Sequence, residues 1–248
     1  MIYRCKIDGW TVLFSDEDKD AKAVFEKFLS LRNADGACAL VASGRTGPVY
    51  KITYGNGRTY ILKHDLRKRH RFDYLVQSFF RGSNAFRLLK SFAAARARHP
   101  EFHNVADVLL VADRRRFHCV LESFILMEFV EGKSLEEIPR GCEIYRGEVA
   151  SIVSWLHENG MVHGDVHAGN FIKEDGTGTI RAIDLSGKPP TPIVRASDRI
   201  RLEEKFGVPN TKKDWGFYCC KAFFSYRRFL SKLKGRVHAA LNHVPSLH

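Results

Sequence analysis

Three polar residues in the second half of the chain have the types and the spacing that phosphoryl transfer requires. Asp165 and Asn170 stand five positions apart, and Asp184 follows Asp165 by nineteen positions. In kinase-type transfer an Asp orients and deprotonates the acceptor hydroxyl, an Asn five residues later holds one metal ion, and a later Asp holds the metal ions that bridge the phosphates. The spacing therefore predicts Asp165 as the catalytic residue, and Asn170 and Asp184 as metal ligands. The alternative is a polar loop whose Asp and Asn side chains only cap turns.

The stretch 38–63 has the order of elements expected for binding the phosphates of a nucleotide. It alternates three strand-like runs with a glycine loop and an Asn-Gly hairpin turn, and its last strand ends in Lys63. This order is typical of a loop that covers phosphates, followed by a Lys that pairs with the α and β phosphates of ATP. We therefore predict Gly44, Gly47 and Lys63 as nucleotide-binding residues. The alternative is a simple hairpin with a surface Lys, since the loop has only two of the glycines of a full glycine-rich loop.

The helical acid that would hold this Lys is missing from the sequence. Protein kinases pair the strand Lys with a Glu on the following helix, but no Glu occurs between Lys63 and Glu101, although the basic stretch 67–98 is helix-rich. Asp73 and Asn84 are the other candidates, and none of the three stands at a convincing position. The sequence leaves open whether Lys63 pairs with a different acid or is held only when a nucleotide binds.

An apolar strand that opens into an acidic, glycine-bearing segment marks the connection between two lobes. The run Met127–Gly132 has this composition and resembles the connector between the lobes of kinases. We therefore predict that backbone groups from Glu128 to Val130 meet the adenine ring, and we place the boundary between the lobes at residues 131 and 132. An edge strand followed by a turn is the alternative interpretation.

The remaining pattern predicts the elements that position these residues. Apolar periodicity, capping residues and turn signals predict these elements. In the first half we expect extended structure over 1–14, a helix with Ser15 as its N-cap, a helix break at Gly82-Ser83, and strands over 105–111 and 117–130 around a turn at 113–116. In the second half we expect a short helix Ser134–Ile138, a helix Glu143–Asn159 that stops at Gly160, and a hairpin over 171–183 that presents Asp184. Strands thus dominate the first half of the chain and helices the second.

Charge and cysteine usage restrict the partners and the compartment. The chain has 248 residues and a formal net charge of +12, which indicates an anionic partner such as a phosphorylated substrate, a membrane surface or a nucleic acid. Solvated charged faces are the alternative, and no recognised nucleic-acid motif occurs, so we expect no nucleic-acid partner. The start lacks an apolar signal core, no apolar run approaches the ~18 residues of a membrane span, and the six scattered cysteines form no Cys-x-x-Cys pair. We expect a cytoplasmic chain with free thiols.

Taken in chain order, these residues resemble those of the kinase-like fold, and in particular those of the bacterial lipopolysaccharide core heptose(II) kinase family. The matching segments are Gly160-Met161-Val162, Gly164-Asp165, His167, Gly169-Asn170-Phe171-Ile172, Ile183-Asp184-Leu185-Ser186-Gly187-Lys188, Asp198-Arg199-Ile200 and Leu202-Glu203, with weaker matches at Asp214, Gly216, Tyr218 and Leu233-Lys234-Gly235. The resemblance covers the C-terminal half strongly and the N-terminal half loosely, through Ile61-Leu62-Lys63 and the connector.

The resemblance implies a two-lobed protein-kinase-like fold of the α+β class. Its mostly β N-terminal lobe, residues 1–131, would bind ATP, and its mostly α C-terminal lobe, residues 132–248, would hold the catalytic residues, the acceptor and a basic amphipathic tail. The implied reaction is ATP-dependent phosphorylation of a heptose hydroxyl of the lipopolysaccharide inner core, at the cytoplasmic face before export. Asp165 would accept or orient the hydroxyl proton, and Lys63 would bind the α and β phosphates. Asn170 and Asp184 would hold Mg²⁺.

We also assign expected roles to three further polar residues, His163, His167 and Asp214. We expect His163 to brace the loop, and His167 either to contact a substrate phosphate or to fix the loop through a hydrogen bond. Asp214 resembles the helical Asp with which kinases anchor the backbone of the catalytic loop.

A group of arginines follows the metal-binding segment. Arg195, Arg199 and Arg201 would bind phosphates of the core, because guanidinium groups match phosphate oxygens in geometry. Pairing with Glu203 and Glu204 is the alternative, and the sequence does not decide between the two.

The stretch 217–237 interleaves aromatic and aliphatic residues with lysines and arginines. A basic amphipathic helix of this kind can lie on an anionic leaflet, which would give peripheral contact with the inner membrane. Packing of the aromatic face on its own domain is the other interpretation.

Two other functions remain open from the sequence. A kinase for another small hydroxylated acceptor, such as an aminoglycoside or a choline-like compound, shares the His-Gly-Asp loop, although the positive charge favours an anionic acceptor. A non-catalytic basic binding module on a kinase-like fold is supported by the missing helical Glu and by the basic stretches.

Overall fold

The computed structural model describes residues 1–15, 20–31, 38–44, 47–55, 57–66, 78–79 and 83–242. The main elements in this part of the chain are β1 (Ile2–Ile7), β2 (Trp10–Ser15), α1 (Asp20–Leu31), β3 (Cys38–Gly44), β4 (Gly47–Thr53), β5 (Thr59–Asp65), α2 (Asn84–Arg98), β6 (Val108–Arg116), β7 (Cys119–Glu128), β8 (Gly132–Ser134), α3 (Gly141–Ile144), α4 (Arg146–Glu158), a 3₁₀ turn (Ala168–Asn170), β9 (Phe171–Glu174), β10 (Ile180–Ala182), α5 (Pro192–Phe206) and α6 (Trp215–Asn242). The predicted α+β class is confirmed, with a mainly β N-terminal region and helices later.

A seven-stranded antiparallel sheet forms the N-terminal region, in the order β1-β2-β6-β7-β5-β4-β3. Successive side chains of a strand point to opposite faces, and both faces of β2 are covered. Val12 packs in a cluster with Phe25 and Phe28 of α1, whereas Leu13 joins the cluster that contains Leu89 of α2. The two helices therefore cover opposite faces, and the central strands are apolar on both sides.

The start of α1 is described only in part. Ser15 ends β2, where it pairs with Ile2, and α1 is described from Asp20; residues 16–19 lie outside the described residues, so Ser15 as the helix N-cap stays a prediction. The backbone of Ser15 continues the ladder between β1 and β2, so the strand extends to this residue. The predicted apolar face of the helix is confirmed at Val24 and Phe25, both of which are buried.

The hairpin between β6 and β7 turns later than the sequence predicts. The turn lies at Phe117-His118, with φ angles of +48° and +66°, and not at 113–116. Positive φ at both central residues suits a two-residue hairpin, because its twist matches that of the strands. Residues 113–116 remain in β6 because they have cross-strand partners, such as Ser123, whose hydroxyl donates to Asp113 at 2.6 Å.

Ser83, the second residue of the predicted break at Gly82-Ser83, directly precedes α2, whereas Gly82 lies outside the described residues. The Ser83 hydroxyl accepts a hydrogen bond from the Phe86 backbone N–H at 3.2 Å, so Ser83 is the N-cap. The apolar face of α2 packs on β2 and β6. Most of the earlier part of the predicted basic helical stretch, including Asp73, lies outside the described residues.

The short helix predicted over Ser134–Ile138 is wrong. Ser134 ends β8, where it pairs with Ile172 of β9. The chain then turns, and the Glu137 carboxylate accepts a hydrogen bond from the Ser134 backbone N–H at 2.8 Å. Pro139 follows and lacks the N–H that a continuing helix would need. A local turn therefore takes the place of the helix.

The long helix predicted over Glu143–Asn159 is divided at Tyr145 into α3 and α4. The predicted apolar face of α4 is confirmed, and its buried residues are Val149, Ile152, Val153 and Leu156. Asn159 ends the helix, and Gly160 follows with a φ of +70°, a conformation that favours glycine.

A second sheet, in the order β10-β9-β8, forms the predicted hairpin before Asp184. One core cluster contains Leu89 and Val111 of the N-terminal region together with Val153 and Phe171 of the C-terminal region. The predicted boundary at 131 and 132 falls between β7 and β8. In the described part of the chain, no helix combines the length and the apolar character needed to cross a membrane.

A nearly buried Arg joins the end of the large sheet to the small sheet. Arg181 of β10 donates to both carboxylate oxygens of Glu128, at 3.0 and 2.6 Å, and to Oε1 of Glu174 at 2.8 Å. It also donates to the carbonyl of Val105. Since Glu128 ends β7, this ion pair fixes where the connector leaves the large sheet.

We expect Arg181→Met to lower the free energy of unfolding by about 2 kcal/mol, because Glu128 and Glu174 lose a shared charged partner while Met retains an apolar stem. Chemical denaturation measures this change. Arg140→Met is the matched control, since Arg140 pairs with Glu143 at the surface and such pairs contribute little. An equal loss of stability in both variants would contradict the role assigned to Arg181.

Candidate active site

A buried carboxylate holds the backbone of the loop that carries Asp165. Oδ2 of Asp198 accepts a hydrogen bond from the backbone N–H of His163, and Oδ1 accepts one from the backbone N–H of Gly164, both at 2.9 Å. Nε2 of His157 lies 3.2 Å from Oδ2. Asp198 is fully buried, and a buried charge is tolerated when hydrogen bonds satisfy it. The direction of the loop is therefore set by α5.

The sequence assigned this anchoring role to Asp214, and that assignment is wrong. Asp214 precedes α6, and its carboxylate accepts hydrogen bonds from the backbone N–H of Phe217 and from Arg199, both at 3.0 Å. This is the position of a helix N-cap, where an Asp satisfies free N–H groups. The anchor was missed because α5 was not predicted, although Thr191-Pro192 is a helix start signal and Gly207 a stop signal.

The loop approaches the segment of Asp184 closely because residue 164 is a glycine. Gly164 has a φ of +78°, and a Cβ on it would lie 2.2 Å from the Ser186 hydroxyl. The Ser186 backbone N–H donates to the His163 carbonyl at 3.0 Å. These contacts bring Asp165 and Asp184 to the same cavity, of about 330 Å³.

The two predicted metal ligands lie at one end of a cleft. Asn170 donates its Nδ2 to the Asp165 carbonyl at 2.9 Å, which leaves Oδ1 as the atom that can bind a metal ion. Asp184 has a φ of +58°, a conformation that non-glycine residues seldom adopt and that is frequent at functional sites. Both residues line a second cavity, of about 260 Å³.

The donors present fit a magnesium ion that is bound together with a nucleotide. In the described residues there is no group of three or more His, Cys, Asp or Glu side chains that could hold a metal ion. Mg²⁺ seldom uses a cage made only of protein groups, and it usually takes one or two carboxylates, with phosphates and water completing the octahedron. Asn170 and Asp184 supply oxygen donors of this kind.

Within the part of the chain that the structure describes, Lys63 pairs with Asp184. Its ammonium group forms an ion pair with Oδ1 of Asp184. Asn84, at the start of α2, lines the same cavity as Lys63, and its Oδ1 accepts a hydrogen bond from Arg87 at 2.9 Å. Among the described residues, the acid that contacts Lys63 is therefore Asp184, and Asp73 lies outside them.

The cleft that contains Lys63 is apolar beyond its charged end. The residues that line it are Val49, Ile61, Ala106, Met127, Glu128, Phe129, Val130, Ile172 and Ile183, with Lys63, Asn170 and Asp184 at the polar end. An apolar slot with a few converging polar groups is the usual form of a small-molecule site. The predicted connector residues Glu128 and Val130 line it, and the carboxylate of Glu128 is bound to Arg181.

The predicted glycine loop is described only at its base. Gly44 and Gly47 pair with each other at the end of the hairpin between β3 and β4, and the tip, Arg45-Thr46, lies outside the described residues. Gly47 has a φ of +129°, and a Cβ there would lie 1.9 Å from the His64 carbonyl oxygen. This position therefore requires glycine for packing, and the binding of phosphates by the loop stays a prediction.

The carboxylate of Asp165 is paired with Arg201. Nη1 of Arg201 donates to Oδ1, and Nε2 of His167 lies 3.8 Å from Oδ2. Burial works to raise the pKa of Asp165, but the hydrogen bond and the charge of Arg201, with His167, outweigh it and hold the pKa below its usual value. Asp165 is thus ionised at neutral pH, as a proton acceptor must be.

His163 is buried beside the loop and does not face the cavities. Its ring packs on Phe171 with centroids 5.1 Å apart, and neither ring nitrogen has a hydrogen-bond partner among the described residues. Burial lowers the pKa of His163, against the opposing charges of Asp198 and Asp184, so the ring is neutral. This placement agrees with the expected bracing role.

Fold and cleft together define a kinase-like protein, and comparison with known proteins is consistent with this class. The sequence model of a family described as "Lipopolysaccharide core biosynthesis protein (WaaY)" matches residues 1–236. The chain belongs to this family. A protein of Escherichia coli named "Lipopolysaccharide core heptose(II) kinase WaaY" is 30% identical over 245 residues, which are 95% of this chain and 100% of that protein. A protein of the same name from Escherichia coli strain K12 is 31% identical over 176 residues, 71% of this chain and 74% of that protein.

We expect Asp198→Asn to speed hydrogen exchange at the backbone amides of His163 and Gly164 by roughly 10- to 100-fold, since a hydrogen bond to a charged group is worth about 1.5–3 kcal/mol. Exchange followed by mass spectrometry of loop peptides measures this. Asp214→Asn is the control and should leave these two amides unchanged. Faster exchange in Asp214→Asn alone would return the anchoring role to Asp214.

Proposed function

We propose that this protein is a kinase that transfers the γ-phosphoryl group of ATP to a heptose hydroxyl of the lipopolysaccharide core. The observation that carries the proposal is the convergence of Lys63, Asp165, Asn170 and Asp184 on adjoining cavities, which share Lys63 and Asp184 in their walls. Both relatives carry the name of a heptose(II) kinase, which supports the acceptor class.

In this proposal the apolar slot receives the adenine ring and the charged end receives the phosphates. Lys63 would exchange its contact with Asp184 for the α and β phosphates, and Asp184 would then be free to bind Mg²⁺ together with Asn170. Bound Mg²⁺ would neutralise charge on the β and γ phosphates. The Arg181 pair supports this arrangement, because it holds the Glu128 carboxylate, and the connector backbone would then be left to face the base.

Asp165 would orient the acceptor hydroxyl and accept its proton as the oxygen attacks phosphorus. Its carboxylate is ionised, and Asp165 lines both the cavity of about 330 Å³ that contains Lys63 and Asp184 and a further cavity on the outer side of the loop. The proton then resides on a carboxylate oxygen, and the leaving ADP keeps the bonding electron pair. The formal charge of +12 favours an acceptor that is anionic.

We expect Asp165→Asn to lower the rate of phosphate transfer by about 100- to 10,000-fold, the usual contribution of a positioned acid-base group. The assay follows incorporation of labelled phosphate from ATP into purified core lipopolysaccharide. Asp175→Asn is a matched control, because Asp175 is exposed in the turn between β9 and β10. Turnover by Asp165→Asn at the rate of the unaltered chain would exclude Asp165 as the base.

A test in cells addresses the acceptor itself. Mass spectrometry of core lipopolysaccharide from cells that lack this chain should show the loss of one phosphate, which returns when the gene is restored but not when it encodes Asp165→Asn. An unchanged core would refute the heptose acceptor and leave the kinase chemistry in place.

We further propose that the protein works at the cytoplasmic face of the inner membrane, with α6 on the lipid surface. One face of α6 packs on α5 through Phe217 and Cys220, whereas Trp215, Tyr218 and Phe229 are each about 60% exposed. Exposed aromatic groups in one region mark interaction surfaces, and aromatic rings beside cations suit the interface of an anionic leaflet. The lipid-linked acceptor would then lie in the same plane as the helix.

We expect the chain to float with liposomes that contain anionic lipid, and the combined variant Trp215→Ala, Tyr218→Ala, Phe229→Ala to float several-fold less. Phe117→Ala is the control, because Phe117 is an exposed aromatic residue on the β6–β7 turn. Each Lys or Arg near such a surface adds about 1 kcal/mol, so high salt should also weaken binding. Equal flotation of all variants would remove α6 as the contact.

A further inference from the structure

A cavity of about 450 Å³ lies on the outer side of Asp165, between the catalytic loop and helices α5 and α6. We call it the acceptor-side cavity. Its charged and titratable lining consists of the cations Arg201, Lys205 and Arg227, the imidazole of His167, and the carboxylates of Asp165 and Glu204. The cations outnumber the carboxylates, so the cavity favours a ligand that carries negative charge.

Arg201 belongs to both cavities that meet at Asp165. It lines the acceptor-side cavity, and it also lines the cavity that contains Lys63, Asp184 and Lys188. The buried neighbours of Arg201 in α5, Ile200 and Leu202, hold this part of the helix in the core, so the base of the side chain is fixed. The side chain of Arg201 is about one third exposed, so its guanidinium group can change partners without any movement of the helix.

The present partner of Arg201 is the group that must accept the hydroxyl proton. Oδ1 of Asp165 accepts a hydrogen bond from Arg201, and an oxygen that is held in this way is less available to an incoming hydroxyl. A guanidinium group binds phosphate and carboxylate oxygens through parallel hydrogen bonds, so an anion in the acceptor-side cavity would compete with Asp165 for Arg201.

We infer that Arg201 is a positioning residue that pairs with Asp165 when the acceptor is absent and with a phosphate or carboxylate group of the acceptor when it is bound. Arg227 and Lys205 add positive charge around the same anion. The inference rests on the proposed function, because it needs Asp165 to act as the base. The inference adds a selection step to the proposed reaction. An acceptor without an anionic group near its hydroxyl leaves Asp165 paired with Arg201. Water, which carries no anionic group, is disfavoured as the attacking nucleophile for the same reason.

The test is the hydrolysis of ATP by the full chain without any acceptor. Arg201→Gln should hydrolyse ATP about fivefold faster than the unaltered chain, because the loss of a partly exposed ion pair releases Asp165 toward water by about that factor. Arg201→Lys keeps the charge and loses the fork, so its rate should lie between the two. Lys6→Gln, which removes one positive charge from the exposed edge strand β1, should hydrolyse ATP like the unaltered chain.

Transfer to purified core lipopolysaccharide is measured on the same proteins. Arg201→Gln and Arg227→Gln should raise the KM for the acceptor, by about tenfold and by a smaller factor respectively, the loss expected for a charge-assisted contact. Thermal unfolding midpoints check that the variants fold. If Arg201→Gln does not fold, the hydrolysis and transfer rates of Arg201→Lys decide the role of Arg201.

The outcomes separate the two proposals. Hydrolysis that is unchanged in Arg201→Gln overturns the inference, and so does hydrolysis that falls together with transfer, since Arg201 would then act on the phosphoryl group. An unaltered chain that hydrolyses ATP but leaves the core unphosphorylated refutes the proposed acceptor, and the hydrolysis comparison still decides the role of Arg201. A chain that does not turn over ATP at all overturns the proposed function and the inference with it.

Discussion

The arrangement of the site depends on one buried carboxylate and on the two backbone N–H groups that donate hydrogen bonds to it. Asp198 is fully buried and receives hydrogen bonds from the N–H groups of His163 and Gly164. An ionised group in this position would be costly without such partners, and the partners would be costly to bury without an acceptor. Each side therefore requires the other, and the loop has one stable direction. This contact also ties the loop to α5, from which Arg201 projects.

Further hydrogen bonds to backbone atoms of the loop fix the segments that contact it. The Asp165 carbonyl accepts a hydrogen bond from the Asn170 side chain, and the His163 carbonyl accepts one from the Ser186 N–H, so the two proposed metal ligands, Asn170 and Asp184, follow the course of the loop. The absence of a Cβ at Gly164 lets the segments approach. Hydrogen bonds to main-chain atoms do not depend on flexible side-chain rotamers, and geometry set in this way is pre-organised before any ligand binds.

The sequence predicted which candidate site residues lie near one another better than it predicted the contacts that hold them. Asp165, Asn170 and Asp184 lie within twenty residues of one another on one loop and one hairpin, so local pattern was sufficient to bring them to two adjoining cavities that share Asp184. The anchor lies thirty-five residues from His163, and nothing local marks Asp198 as buried. The fold class was implied by the family resemblance, and the predicted order of strands and helices agreed with it. The shift of the β6–β7 turn and the partner of Lys63 depend on cross-strand and inter-lobe contacts, which composition and periodicity do not encode.

The missing helical Glu changes how the charges of the cleft are balanced. In protein kinases the pair between the strand Lys and a helical Glu must be in place together with the metal-binding Asp, and movement of the helix controls activity. Here no Glu occurs between Lys63 and Glu101. The helix α2 is packed into the core through its buried apolar face. Lys63 with Asp184 and Arg201 with Asp165 form two internal pairs instead. Each pair joins a cation proposed to bind a substrate anion, Lys63 or Arg201, to a carboxylate with a proposed role in transfer, Asp184 or Asp165. Binding of the substrates, and not movement of a helix, would then release these two carboxylates.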